Sequence, residues 1–123
     1  MDEVKRVSVL YVDDEVINLN AFKATYRRQF DVYTAVSAEE GRVVLETNQI
    51  DVVLSDHLMP GVKGIDFLKS IVLDHPRPIR MLLTAFTNPE AIKDALSKSY
   101  IHHCIYKPWD SNALAQLIKN VVR

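Results

Sequence analysis

Five short apolar runs alternate along the chain with segments whose apolar residues recur every three to four positions. The first run, Val7-Ser8-Val9-Leu10-Tyr11-Val12, passes straight into Asp13-Asp14-Glu15. Val16 to Gln29 then carries Leu19, Phe22 and Tyr26 at intervals of three and four, the spacing of a helix with one buried stripe. A second strand is predicted over Val32 to Ala35. Ser37-Ala38-Glu39-Glu40 has the form of a capping box, with Ser37 accepting a backbone N–H three residues on and Glu40 reaching back. The helix it opens reaches about Thr47. A third strand, Val52 to Ser55, stops at Asp56, and Met59-Pro60-Gly61 forms a loop. Ile65 to Asp74 reads as a helix with Leu68, Ile71 and Val72 inward, stopped before Pro76 and Pro78. The fourth strand, Arg80 to Leu83, ends at Thr84. Asn88-Pro89 supplies an N-cap and a first-turn proline for a helix to about Lys98. The fifth strand, His102 to Tyr106, ends at Lys107-Pro108, and a last helix is predicted to bury Leu114, Leu117, Ile118, Val121 and Val122.

Unbroken runs of Val and Leu suit strands covered on both faces, as parallel strands are. Strict alternation of strand and helix implies right-handed crossovers and a doubly wound α/β sheet with helices on both sides. At 123 residues the chain is expected to be one domain, 1–123, large enough for a core without disulfide or metal staples. The net charge of −1 provides no field to recruit nucleic acid or an acidic membrane surface, and no direct nucleic-acid binding is expected. Cys104 is the only cysteine, which excludes an intramolecular disulfide and fits a reducing cytoplasm. No apolar run approaches the roughly 18 residues of a membrane span, and the N-terminus lacks a signal-peptide core. The expectation is a cytoplasmic domain without membrane contact.

The residues that end the strands carry the chemistry. Strand one ends in Asp13-Asp14, strand three in Asp56, strand four in Thr84 and strand five in Lys107. In a parallel sheet all these loops open on one edge, where open α/β folds bind ligands. Three crowded carboxylates are costly unless a cation or a proton relieves them, which points to a hard-metal site. Magnesium prefers such oxygen ligands. Lys107 can neutralise a phosphoryl oxygen as a point charge and Thr84 can donate to another, so the set suits phosphoryl transfer onto a carboxylate.

At this point the chain resembles the receiver domain of two-component response regulators. The matching pieces are YVDDE at 11–15, DHLMPGVKG at 56–64, LLTAF at 82–86 and YKPW at 106–109, and the likeness covers essentially the whole chain. It implies a flavodoxin-like sheet in the order 2-1-3-4-5 with five helices. It implies Asp56 as phosphoacceptor, and Asp13, Asp14, Asp56 and the backbone carbonyl of Leu58 as ligands of Mg²⁺ or Mn²⁺. Thr84 would be the switch hydroxyl and Lys107 the phosphate-binding cation. Met59-Pro60 and Gly64 match the loop after the acceptor, and Lys107-Pro108 is often a cis peptide in the family. The partners implied are a sensor histidine kinase or histidine phosphotransfer protein, and an output domain or partner protein that reads the phosphorylated state.

Two departures qualify the resemblance. Many family members carry Tyr or Phe three residues before the lysine, and here that position is Cys104. Tyr106, the nearest aromatic, should lie on the opposite sheet face from Ile105 and Lys107. A muted or differently built switch is the expectation. Leu58 and Phe86, at positions that tune phosphate loss in the family, are apolar and cannot orient an attacking water, which predicts a long-lived phosphoryl group.

Singly, each feature has a plainer reading. Asp13-Asp14 could be an acidic helix start, Asp56 a loop cap, Lys107 a solvated lysine and Thr84 ordinary strand-end polarity. His57 is expected at the surface or shaping access to Asp56. His102 and His103 point to opposite sides of a strand, Cys104 reads as a small buried hydrophobe, and Trp109 as a cover for the last helix start or the sheet rim, or as an exposed anchor for a partner. The competing function is a phosphorylation-independent interaction module of the same fold, whose usual mark is loss of the acidic pair, acceptor or lysine. A flavin carrier would want a phosphate-cradling loop where Asp13-Asp14-Glu15 stands. No water-activating group for a dedicated phosphatase is evident, so the chain reads as a non-enzyme that assists its own phosphorylation.

Overall fold

The computed structural model describes residues 6–85 and 88–122. Ten elements follow in strict alternation: β1 (Ser8–Val12), α1 (Val16–Tyr26), β2 (Asp31–Ala35), α2 (Ala38–Thr47), β3 (Val52–Asp56), α3 (Gly64–Ser70), β4 (Ile79–Thr84), α4 (Pro89–Ser97), β5 (His103–Tyr106) and α5 (Ser111–Val121). The strands form one parallel sheet in the order β2-β1-β3-β4-β5.

Each continuous apolar strand is divided between two cores by the pleat. Val9 and Tyr11, Val52 and Leu54, and Met81 and Leu83 face one cluster, closed by Leu19, Phe22 and Tyr26 of α1 and Leu114, Ala115 and Ile118 of α5. Leu10, Val12, Val53 and Leu82 face the other, closed by α2, α3 and α4 through Leu45, Phe67, Leu68 and Ile92. Full burial of such side chains contributes about 1.5–3 kcal/mol each. A helix-period stripe on each covering element supplies one half of each interface.

Local signals hold most helix starts. Ser37 accepts from Glu40 N–H at 3.1 Å, Asn88 accepts from Ala91 N–H at 3.2 Å, and Asp110 accepts from the N–H groups of Asn112 and Ala113. The Glu40 carboxylate reaches past Ser37 to the Val36 N–H at 3.2 Å, one residue earlier than a capping box requires. Two helices are shorter than their patterns. α1 stops at Tyr26, and Arg27 to Gln29 form a turn closed by Phe30 N–H donating to Tyr26 O. α3 stops at Ser70, whose hydroxyl donates to the Phe67 carbonyl at 2.6 Å and draws it from the helix ladder; Ile71 to Asp74 then form turns. Leu117 and Val121 of α5, and Val122 just past its end, are partly rather than fully buried, and Ala115 is the additional inward residue.

A buried charge sits at the amino-terminal end of β4. The Arg80 guanidinium donates to the carbonyls of Tyr100 at 2.9 Å, Ser99 at 2.7 Å and Pro78 at 3.3 Å, tying down the turn that leads from α4 to β5. The Arg80 N–H also donates to His102 Nδ1 at 2.9 Å.

Candidate functional site

β1 lies between β2 and β3, so the connections leaving it and β3 diverge to opposite sides of the sheet. The gap beyond the carboxyl ends of β1 and β3 is the place where such sheets bind ligands. Asp13, the first residue past β1, is fully buried; Asp14 is exposed; Asp56 is the last residue of β3. One carboxylate oxygen from each lies within 4.8 Å of the others. The structure thus brings together the three carboxylates expected from the sequence.

Lys107 joins them from the end of β5, its Nζ 2.6 Å from Asp56 Oδ1. The Lys107 N–H donates to the Thr84 carbonyl at 2.9 Å, which ties this strand end to that of β4, and the peptide from Lys107 to Pro108 is cis. Thr84 is buried and pairs in register with Tyr106. Leu58 is half exposed in the loop after Asp56, and Phe86 lies outside the described residues.

Opposing influences act on Asp56. Burial raises its pKa above the usual carboxylate value; the Lys107 hydrogen bond and charge lower it, and Asp13 and Asp14 raise it again, with a net upward shift. Burial and the two neighbouring carboxylates together disfavour the ionised form of Asp56 more than Lys107 favours it. All the clustered donors are oxygens, which fits a hard divalent cation rather than a soft one.

Gly64 shows why the loop after the acceptor is built as it is. A Cβ there would lie 2.3 Å from the Asp56 carbonyl oxygen and 2.9 Å from His57 Cα, so only glycine lets the start of α3 close against the acceptor. The Gly64 N–H donates to the His57 carbonyl at 2.9 Å. His57 is half-buried rather than exposed. Its Nδ1 is enclosed without a partner among the described residues, and burial followed by the Lys63 charge lowers its pKa.

Tyr11 and Asn18 were not singled out from the sequence. Tyr11 Oη donates to Asp13 Oδ2 at 2.7 Å, Asn18 Nδ2 donates to the same oxygen at 3.1 Å, and Glu15 N–H donates to Asp13 Oδ1 at 2.9 Å. The available signal was strand alternation, which puts residues two apart on one face, obscured because Tyr11 also reads as core. Burial, then the Asp13 hydrogen bond, pushes the phenol's pKa well above its ordinary value and keeps it a donor. A cleft of about 410 Å³ runs beside it, walled by Tyr11, Phe22, Tyr26, Lys107 and Trp109. Trp109 is half-buried and its Nε1 donates to Tyr26 Oη at 3.3 Å, while Tyr26 Oη itself donates to the Ser111 carbonyl at the start of α5 at 3.0 Å. Cys104 is half-buried against the core on the α2–α4 side, while Ile105 packs on the α1–α5 side. Tyr106 is exposed and hydrogen-bonded to Cys104, hence on the face opposite Ile105.

A five-stranded parallel sheet with an acidic trio and a lysine at its switch point defines a class of phosphoacceptor domain. The chain belongs to the response regulator receiver domain family, whose model matches residues 9–119. It is 33% identical over 118 residues to the hydrogenase transcriptional regulatory protein HoxA of Cupriavidus necator, covering 96% of this chain and 24% of HoxA. It is 27% identical to the transcriptional regulatory protein ZraR of Salmonella typhimurium, covering 95% of this chain and 26% of ZraR. This chain therefore spans about a quarter of the length of these curated relatives. Among solved structures, a response regulator receiver domain protein from Clostridium thermocellum superimposes with a TM-score of 0.81 at 30% identity, covering 94% of each chain. Chemotaxis protein CheY4 of Vibrio cholerae shares the fold with a TM-score of 0.85 at 24% identity, covering 95% of this chain and 99% of that one. Among the described residues no helix is long and apolar enough to cross a membrane.

Proposed function

We propose that the chain is a single cytoplasmic receiver domain, residues 1–123, that accepts a phosphoryl group on Asp56 from the phosphohistidine of a sensor histidine kinase or histidine phosphotransfer protein. The observation that carries this reading is the Lys107 ammonium, 2.6 Å from an Asp56 oxygen inside a three-carboxylate cluster. In the transfer an Asp56 oxygen forms the new bond to phosphorus as the phosphorus–nitrogen bond breaks, and the imidazole leaves with a proton. Lys107, already on Asp56, exchanges the carboxylate for a phosphoryl oxygen, and the Thr84 hydroxyl donates to another. Asp13, Asp14, Asp56 and the Leu58 carbonyl would hold Mg²⁺ or Mn²⁺, which supplies charge neutralisation between the acceptor and the incoming phosphoryl group.

An attached output domain or partner protein reads the change, as the transcriptional regulators of which HoxA and ZraR are examples suggest. No separate substrate is turned over. Because Tyr106 rather than residue 104 carries the aromatic ring on β5, the readout is built differently from that of relatives with an aromatic at the earlier position. The apolar Leu58 and Phe86 favour a long-lived phosphoryl group.

Incubation with a small phosphodonor and Mg²⁺, followed by intact mass, tests the central claim. One added phosphoryl mass is expected on the wild type and none on Asp56→Ala. Absence from the wild type, or retention in the variant, refutes it.

A further inference from the structure

The Asp13 carboxylate is fully buried, yet its orientation is not left to the cluster. Three donors converge on it: Tyr11 Oη and Asn18 Nδ2 on Oδ2, and the Glu15 N–H on Oδ1. A carboxylate offers about four lone-pair directions, so these bonds leave it little freedom and leave acceptor capacity on Oδ1. The Tyr11 ring is itself immobilised, 1% exposed and stacked at 4.4 Å between centroids against Phe22. Asn18 comes from the first turns of α1, so strand and helix both grip one oxygen.

We propose that Tyr11 and Asn18 are positioning residues that hold Asp13 in its metal-binding orientation, a role that rests on the reading of the acidic cluster as a divalent-cation site. The physical reason is preorganisation. Three carboxylates within 4.8 Å repel one another, and an unrestrained Asp13 would swing away before any cation arrived. Hydrogen bonds behind a ligand remove that freedom, and their loss typically costs about 10–100-fold in metal affinity. The phenol suits the task because Phe retains the same ring packing and deletes only the donor.

The test is isothermal titration of the metal-free protein with Mg²⁺ alone, for wild type, Tyr11→Phe, Asn18→Ala and Asp13→Asn. Tyr11→Phe is expected to weaken Mg²⁺ binding by about tenfold with unchanged circular dichroism. Asn18→Ala is expected to show a smaller loss in the same direction. Labelling of Asp56 by a small acyl phosphate should need correspondingly more Mg²⁺ in both variants but reach the wild-type rate at saturation, a split that a general structural defect would not produce. Wild-type affinity in Tyr11→Phe, or a defect in labelling that saturating Mg²⁺ leaves in place, overturns the inference and leaves the phosphoacceptor reading standing. If Tyr11→Phe does not fold, Asn18→Ala on its partly exposed helix position decides in the same way. A wild type that binds no Mg²⁺, or an Asp13→Asn that binds it as wild type does, overturns the cation site itself and the inference with it.

Discussion

Strand β3 carries an aspartate at each end, and the two are buried to a similar degree: the Asp51 side chain is 17% exposed and that of Asp56 13%. Their surroundings are opposite. Asp51, just before the strand, takes the Ser8 N–H at 2.9 Å, the Ser8 hydroxyl at 3.1 Å and the Arg77 guanidinium at 3.4 Å. Asp56 has one ammonium and two like-charged neighbours. The same division holds for the sheet more widely. At the amino-terminal edge the Arg80 charge is taken up by three backbone carbonyls, whereas the carboxyl-terminal edge keeps an excess of negative charge. At one edge each buried charge is matched by its own partners; at the other, three clustered carboxylates face one ammonium, that of Lys107, among the described residues.

Replacing charges on the amino-terminal edge should therefore cost stability and spare phosphorylation. Arg80→Met strands three carbonyls beside the α4–β5 turn, and urea unfolding is expected to show a loss of about 3 kcal/mol. A loss under half that size would mean that the turn closes without the guanidinium. Asp51→Ala leaves the buried Ser8 N–H without its side-chain acceptor and should cost about 2 kcal/mol, with Asp56 still labelled by a phosphodonor. Loss of labelling there would erase the distinction between the two ends of β3.

The carboxyl-terminal edge should respond in the opposite direction. Because the pKa of Asp56 is raised in the fold, the unfolded chain gives up this proton at lower pH, and the ionised form opposes folding at neutral pH. Asp56→Asn is expected to raise the melting temperature of the metal-free protein slightly, the lost Lys107 pair offsetting part of the gain. A clear fall would show that the pair outweighs the crowding.

The smallest effect concerns His102, whose Nδ1 accepts from Arg80 N–H. Burial, then the charges of Arg80 and His103, lowers its pKa below 6.5. Below about pH 6.5 the unfolded chain binds this proton before the folded one, so stability falls as pH falls through that window; His57 contributes with the same sign. His102→Asn, whose amide oxygen can accept without titrating, should flatten the slope of unfolding free energy between pH 7 and 5. A steeper slope would reverse the assignment.

The strand ends were readable without coordinates because a parallel sheet collects its carboxyl-terminal loops on one edge whatever the packing details. Asp13, Asp14, Asp56, Thr84 and Lys107 each stop an apolar run, and that pattern is one-dimensional. Helix ends were less readable. Tyr26 and Ser70 end α1 and α3 through turn hydrogen bonds that compete with a continuing apolar period. Arg80 looked like a strand residue of no special interest, because its partners are main-chain carbonyls, two of the three about twenty residues away, and carbonyls leave no signature in the amino-acid order.

The chain order alone determined the alternating α/β architecture and the acidic, hydroxyl and ammonium groups at one edge, since periodicity and strand termini are local properties. Tertiary structure decided which charges are neutralised and which are left exposed to their like. It placed Tyr11 and Asn18 behind Asp13, Lys107 on Asp56, and the start of α3 so close to the acceptor that residue 64 has no room for a Cβ. Lys107 and Asp56 stand 51 positions apart in the chain, and the nearer contacts depend on where the fold aims each side chain, which a linear pattern does not encode.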